Sequence, residues 1–157
     1  MDAQNKWKRL TVIVGLPGSG KTRLGRLLSD ETIRVFVDDV DKNGGLQHLS
    51  RVIAEEPAHL LVSDPNLCVR ENQKNAEAYF QAVAKNYNIL WLFFENAPEK
   101  CLAYVQLRVK DGDERKVDGA IVMWSQLYHI PKGAKVLNVW QPGEESDAML
   151  AELKKIV

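Results

Sequence analysis

The sequence predicts an α/β fold of three layers, in which a five-stranded, mostly parallel sheet is flanked by helices. Two observations carry this. Five short apolar runs, rich in β-branched or aromatic residues, recur along the 157 residues with longer amphipathic stretches between them. The runs also lack polar alternation, which is the pattern of strands covered on both faces, as in a parallel sheet.

The expected strands are Leu10–Val14, Arg34–Val37, His59–Ser63, Ile89–Phe94 and Lys135–Val139. The expected helices are Lys21–Ser29, Leu46–Glu55, Arg70–Asn86, Pro98–Val109, Val117–Tyr128 and Asp147–Ile156. Pro98 suits the first turn of its helix, where a missing N–H costs nothing, and Ser146-Asp147 suits the cap of the last one. Lys110 to Lys116, dense in charge and containing Gly112, has no apolar spacing and reads as an exposed loop between two helices. Strand and helix alternate throughout, without repeat or low-complexity tract, so residues 1–157 are expected to form a single domain.

Composition excludes several classes of function. Basic and acidic residues balance at 21 each, so no overall positive field draws the chain onto a polyanion, and any such grip must be local. Cys68 and Cys101 lack CxxC spacing, and His48, His59 and His129 share no metal spacing, which argues against a zinc site or a disulfide scaffold. Both thiols are expected to be buried and reduced. The start has no apolar segment followed by a cleavage site, and the longest apolar run, Ile89 to Phe94, is far too short to span a bilayer. A cytoplasmic protein with no membrane association is the expectation; the oligomeric state is not legible.

Between the first strand and the first helix lies Gly15-Leu16-Pro17-Gly18-Ser19-Gly20-Lys21-Thr22, a match to GxxxxGK[ST] in the strand–loop–helix context that this motif requires. Gly15, Gly18 and Gly20, with Pro17 and Ser19 between them, let successive N–H groups turn inward around a phosphate at the positive end of the helix. Lys21 would neutralise the β- and γ-phosphates, and the Thr22 hydroxyl would hold Mg²⁺. No NKxD-like stretch for guanine follows a late strand, and the chain is short for a ring-forming motor. A small kinase using ATP and Mg²⁺ is the remaining class; a module that binds ATP without chemistry fits less well, given the carboxylates described next.

In open α/β sheets ligands bind at the carboxyl ends of strands. The second strand ends in Asp38-Asp39-Val40-Asp41, and Asp38 is the first choice for the base that takes the acceptor's proton, with Asp39 in reserve. The third ends in Ser63-Asp64-Pro65-Asn66, where Asp64 is placed to help hold Mg²⁺ or a substrate-facing arginine and Asn66 to contact substrate. A mobile cation near the transferred group is also needed. Arg108, with Arg115 and Lys116 across the charged loop, would form that lid. Lys74, Tyr79, Phe80 and Val83 read as ordinary helix faces, and Trp91, Phe93 and Phe94 as core. Val139 to Gly143 could line the adenine pocket.

Together GLPGSGKT, VDDVD, LLVSDPNLCVRE, a helical arginine and DERKVDGAIVMWSQLY resemble the kinase domain of phage polynucleotide 5′-kinases, over roughly residues 10 to 130. The resemblance implies a P-loop kinase fold, ATP and Mg²⁺ bound by Lys21 and Thr22, Asp38 activating an acceptor hydroxyl on DNA or RNA, Arg108 as the lid arginine and Asp64 organising the site. That family usually carries an arginine three residues after its catalytic aspartate, to hold the substrate's phosphate. Here Asp41 stands in that position, and Lys42 is the nearest substitute. The 3′-phosphatase domain fused to some members is also not expected. Two further acceptors stay open: a hydroxymethyl pyrimidine such as 5-hydroxymethyluracil within DNA, reached by exposing or flipping the base, and a small metabolite or sugar nucleotide, as in zeta-type toxins.

Overall fold

The computed structural model describes residues 8–29, 34–40, 44–110, 112, 117–139 and 147–157. Five strands, β1 (Lys8–Val14), β2 (Arg34–Val37), β3 (His59–Ser63), β4 (Tyr87–Phe94) and β5 (Lys135–Leu137), form one sheet in the order β2-β3-β1-β4-β5. Every pairing is parallel. The alternating helices are α1 (Lys21–Leu28), α2 (Gly45–Ala54), α3 (Arg70–Val83), α4 (Pro98–Lys110), α5 (Asp118–Leu127) and α6 (Asp147–Ile156), with a short 3-10 helix over Pro65–Cys68. The strand order sends the β1-to-β2 connection one way across the sheet and the others the opposite way. Right-handed crossovers therefore place α1 on one face and α2 to α5 on the other. Accordingly α1 packs against α6.

Burial on both faces explains the unbroken apolar runs: Leu10, Val12, Ile13 and Val14 in β1 and Leu60 and Leu61 in β3 are fully buried. The Tyr128 hydroxyl donates to Phe94 O at 2.6 Å and contacts Val14 O at 3.3 Å, tying together the carboxyl ends of β4 and β1. At the opposite edge the Tyr79 hydroxyl lies 2.6 Å from Ser50 Oγ, joining α3 to α2.

Some boundaries differ from those expected. β1 and β4 begin earlier, because Lys8 pairs with Tyr87 and Arg9 with Asn88 at the open end of the sheet. α3 stops at Val83, since Ala84 turns inward to be buried and Tyr87 N donates back to Ala84 O at 3.0 Å. α4 runs through Lys110, while Asp111 and residues 113–116 lie outside the described set.

One buried amide holds three segments together. Gln73 Nε2 donates to Leu67 O at 2.9 Å and His129 O at 2.7 Å, so the 3-10 helix, α3 and the chain after α5 share a donor. Gln73→Leu is expected to lower stability by about 2 kcal/mol, as the carbonyls lose a buried donor. Urea denaturation checks this, and an unchanged midpoint would contradict it.

Candidate active site

The glycine loop emerges from β1 and closes onto α1. Gly18 and Gly20 have φ of 79° and 104°, the left-handed region that side chains other than glycine rarely adopt. At Gly18 an added Cβ would also lie 2.8 Å from Val105 Cγ2 and 2.9 Å from Cys101 O, so α4 leans directly on the loop. Pro17 occupies the turn, and Ser19 N donates to Leu16 O at 3.1 Å.

Lys21 opens α1 yet is buried, and its ammonium donates to the neutral Leu16 carbonyl at 2.9 Å. Among the described residues no carboxylate stands within ion-pair distance of it. Burial lowers its pKa from the usual lysine value, opposed in part by nearby negative groups that include Asp38 and Asp39. A buried ammonium at a helix N-terminus, beside a loop turned by left-handed glycines, suits a polyphosphate.

Thr22 follows, and its hydroxyl donates to Asp38 Oδ2 at 2.6 Å. Asp38 Oδ1 accepts from Ser63 Oγ at 2.5 Å and from Asp39 N at 3.0 Å. The parallel pairing of Val37 with Val62 brings these groups together, since it sets the ends of β2 and β3 side by side. Asp39 carries a φ of 44°, an uncommon conformation for a non-glycine residue. A cavity of about 610 Å³ is lined by Gly18, Lys21, Thr22, Asp38, Asp39 and Arg108, with Arg23, Arg26 and Tyr104 contributing as well. The Arg108 guanidinium sits 5.3 Å from the Tyr104 ring centroid, a cation–π arrangement that holds it over this space.

Asp64 and Asn66 stand elsewhere. Asp64 Oδ1 accepts from Asn66 N at 2.8 Å, capping the 3-10 helix, and both residues line a second cavity of about 290 Å³ between α2 and α3. That cavity begins one residue beyond the Ser63–Asp38 contact. Its walls include Leu46, Leu49, Tyr79 and Phe80, with Asn72 and Asn75 nearby. Sequence reading assigned Tyr79 and Phe80 to a plain helix face and did not single out Ser63, Tyr104, Asn72 or Asn75. Ser63 looks like any strand residue until the β2–β3 register is known, whereas the spacing of Asn72, Asn75 and Tyr79 on α3 already places them on one face. Asp41, Lys42, Arg115, Lys116 and residues 140–143 lie outside the described residues.

Among the described residues no cluster of three or more His, Cys, Asp or Glu could hold a metal ion by itself. The site suits Mg²⁺, which is commonly held by one or two protein oxygens together with substrate phosphates. Thr22 lines the cavity beside the glycine loop and offers such an oxygen, whereas Asp64, the other residue expected to help hold the ion, lines the neighbouring cavity. Cys68 and Cys101 are buried and unpaired, and burial raises their pKa values to about 12 and about 11, so both remain thiols. No helix among the described residues is long and apolar enough to cross a membrane.

No family model matches the chain. It is 35% identical to the uncharacterised protein R277 of Acanthamoeba polyphaga mimivirus, across 82% of this chain and 91% of that one. The chain belongs to the family of this mimivirus protein. Solved structures share its fold at low identity. A gluconokinase from Sinorhizobium meliloti 1021 is 14% identical with a TM-score of 0.60, covering 95% of this chain and 89% of its own. The Mycobacterium tuberculosis APS kinase CysC, in complex with AMPPNP and APS, is 17% identical with a TM-score of 0.61, covering 95% and 96%. Kti12 from Chaetomium thermophilum, in complex with ADP-AlF3, is 13% identical with a TM-score of 0.63, covering 94% and 96%. The R277-family chain therefore has the P-loop kinase fold, with its five-stranded parallel sheet flanked by helices.

Proposed function

We propose that the chain is an ATP- and Mg²⁺-dependent phosphotransferase whose acceptor is a hydroxyl group on nucleic acid. The observation that carries the phosphotransferase reading is the buried Lys21 ammonium, bonded to a neutral carbonyl in a loop of left-handed glycines and adjoining the Thr22–Asp38–Ser63 chain. Gly15, Gly18, Ser19 and Gly20 cradle the phosphates, and Lys21 sets their position and charge. When bound, Mg²⁺ would supply positive charge to the phosphates, and the Thr22 hydroxyl would hold it. Asp38 takes the proton of the acceptor hydroxyl, whose oxygen bonds to the γ-phosphorus as the bond to the β–γ bridging oxygen breaks and ADP leaves. Asp39 is the reserve base in the same cavity. Arg108 meets the charge that spreads over the transferred group.

The acceptor assignment draws support from the cavity between α2 and α3. Among the described residues lining it there is no lysine or arginine; amides, aromatic rings and aliphatic walls surround Asp64. Such a lining suits the neutral, planar, amide-edged ring of a nucleobase better than an anionic sugar. The missing arginine after Asp38, replaced by Asp41, fits a hydroxymethyl pyrimidine within DNA, whereas a 5′ end would need Lys42 or another cation in its stead. A small-metabolite acceptor is the second reading, favoured by the zero net charge of the chain and by the substrates in the names of the gluconokinase and APS kinase.

Transfer of γ-labelled phosphate from ATP to 5′-hydroxyl oligonucleotides, end-blocked DNA containing 5-hydroxymethyluracil, and free nucleosides with small metabolites tests the acceptor. Label on either DNA is expected, and label confined to metabolites would overturn the nucleic-acid assignment. Arg108→Ala should reduce turnover by about two orders of magnitude or more while ATP affinity stays within a few-fold. Normal turnover in that variant would remove Arg108 from the lid.

A further inference from the structure

A third cavity, of about 420 Å³, lies away from the glycine loop, between α3, β4 and the segment from His129 to Ala134. Its floor is aromatic. Trp91 and Phe93 alternate along β4 and so face the same side, with ring centroids 6.1 Å apart and planes within 15°. Phe93 is buried, whereas Trp91 is only half-buried and lines the cavity. The sequence suggests core for both; Phe93 belongs to the core, and Trp91 packs against it with part of its ring exposed.

The walls are basic. Arg70, Lys74 and Glu77 share one face of α3, at spacings of four and three residues, and Lys132 stands opposite in a turn that Gly133 permits with a φ of 80°. Arg70, Lys74 and Lys132 are exposed, and none forms an ion pair among the described residues. Glu77 is the sole described carboxylate in the lining. In a chain whose charges balance overall, this is a local positive excess around an accessible indole. The bond from Gln73 Nε2 to His129 O at 2.7 Å fixes the two walls relative to each other, so the groove is preformed.

We propose that this groove is a second nucleotide-binding site, separate from the phosphate cradle, that stacks a base on Trp91 and holds its phosphate with Arg70, Lys74 and Lys132. Aromatic platforms beside backbone-tracking cations are the means by which single strands are gripped without regard to sequence. An acidic peptide would satisfy the cations yet leave the indole face without a planar partner. The ligand could arrive as part of a strand, which would anchor a polymeric acceptor, or as a free nucleotide. The site does not depend on the phosphotransferase reading, because binding is its only claim.

The test is fluorescence anisotropy of a labelled oligothymidylate, with competition by unlabelled dTMP, in the presence of saturating AMPPNP to fill the cradle. Binding that weakens as salt rises, and that falls on the order of tenfold or more in Lys74→Glu/Lys132→Glu, is the expected result. Arg70→Glu should act in the same direction, and circular dichroism would confirm that these surface variants fold. Competition by dTMP at concentrations comparable with the oligomer, counted per nucleotide, assigns the site to free nucleotides; its failure assigns the site to strands. Absence of binding by both probes, or binding unchanged in both variants, would overturn the proposal.

Discussion

Replacing Lys21 by methionine is expected to reduce kcat/KM for phosphoryl transfer by about three orders of magnitude while leaving the ligand-free fold as stable as before, or more so. The two effects have one origin. Lys21 is buried with its ammonium on a carbonyl rather than on a carboxylate, so the ligand-free protein carries the cost of a desolvated charge. A γ-phosphate would compensate that charge, and methionine removes both the cost and the compensation. The pH dependence follows from the direction of the shift. Burial lowers the folded pKa below the ordinary value of 10.5, so between the two values the unfolded chain binds more protons than the folded one. Stability of the wild type relative to Lys21→Met should therefore rise as pH climbs through that window and be lowest beneath it. Urea titrations of both proteins from neutral pH upward measure this. A methionine variant markedly less stable than wild type at neutral pH would mean that the ammonium has a structural partner.

Asp38→Asn is expected to lower kcat by two to four orders of magnitude, with a loss that raising Mg²⁺ does not restore. The amide keeps the shape of the carboxylate; its oxygen can still accept from one of the Thr22 and Ser63 hydroxyls, and the other hydroxyl can rotate to accept from its N–H, so the fold should survive. What it cannot do is take a proton. Rescue by excess Mg²⁺ would show that Asp38 serves the cation alone. A large loss in Asp39→Asn with little loss in Asp38→Asn would transfer the base to Asp39, which lines the same cavity. Ser63→Ala tests a positioning role: kcat should fall while ATP affinity holds, and Ser63→Thr should recover part of the loss.

The glycine loop and its flanking strand and helix were legible because the chemistry of a phosphate cradle fixes residue types at fixed spacing. Strands β2 and β3 were legible end to end, since their β-branched and aliphatic runs give way to acidic residues, Asp38 and Asp64, where the strands stop. Less was visible where polar residues extend an element. Lys8, Arg9, Tyr87 and Asn88 join the sheet through backbone pairing that hydrophobic spacing does not register. The 3-10 helix after β3 was hidden in the same way: Asp64 to Cys68 has no apolar spacing of its own, and the helix shows in the Leu67 N to Asp64 O bond at 3.1 Å together with the Asp64 cap on Asn66 N. Ser63 escaped notice because its contact with Asp38 depends on strands brought together by the β2–β3 register. Tyr79 and Phe80 were correctly placed on a helix, but the cavity they line exists only once α2 packs beside α3.

The measurement that bears most directly on the central claim is a count of products from Mg²⁺-ATP with a pool of hydroxyl-bearing nucleic acids, resolving ADP by chromatography and the acceptors by mass. The account predicts ADP formation that depends on the acceptor, with one phosphorylated hydroxyl for each ADP formed. ADP produced without any phosphorylated acceptor, or ATP bound and left intact, would contradict it.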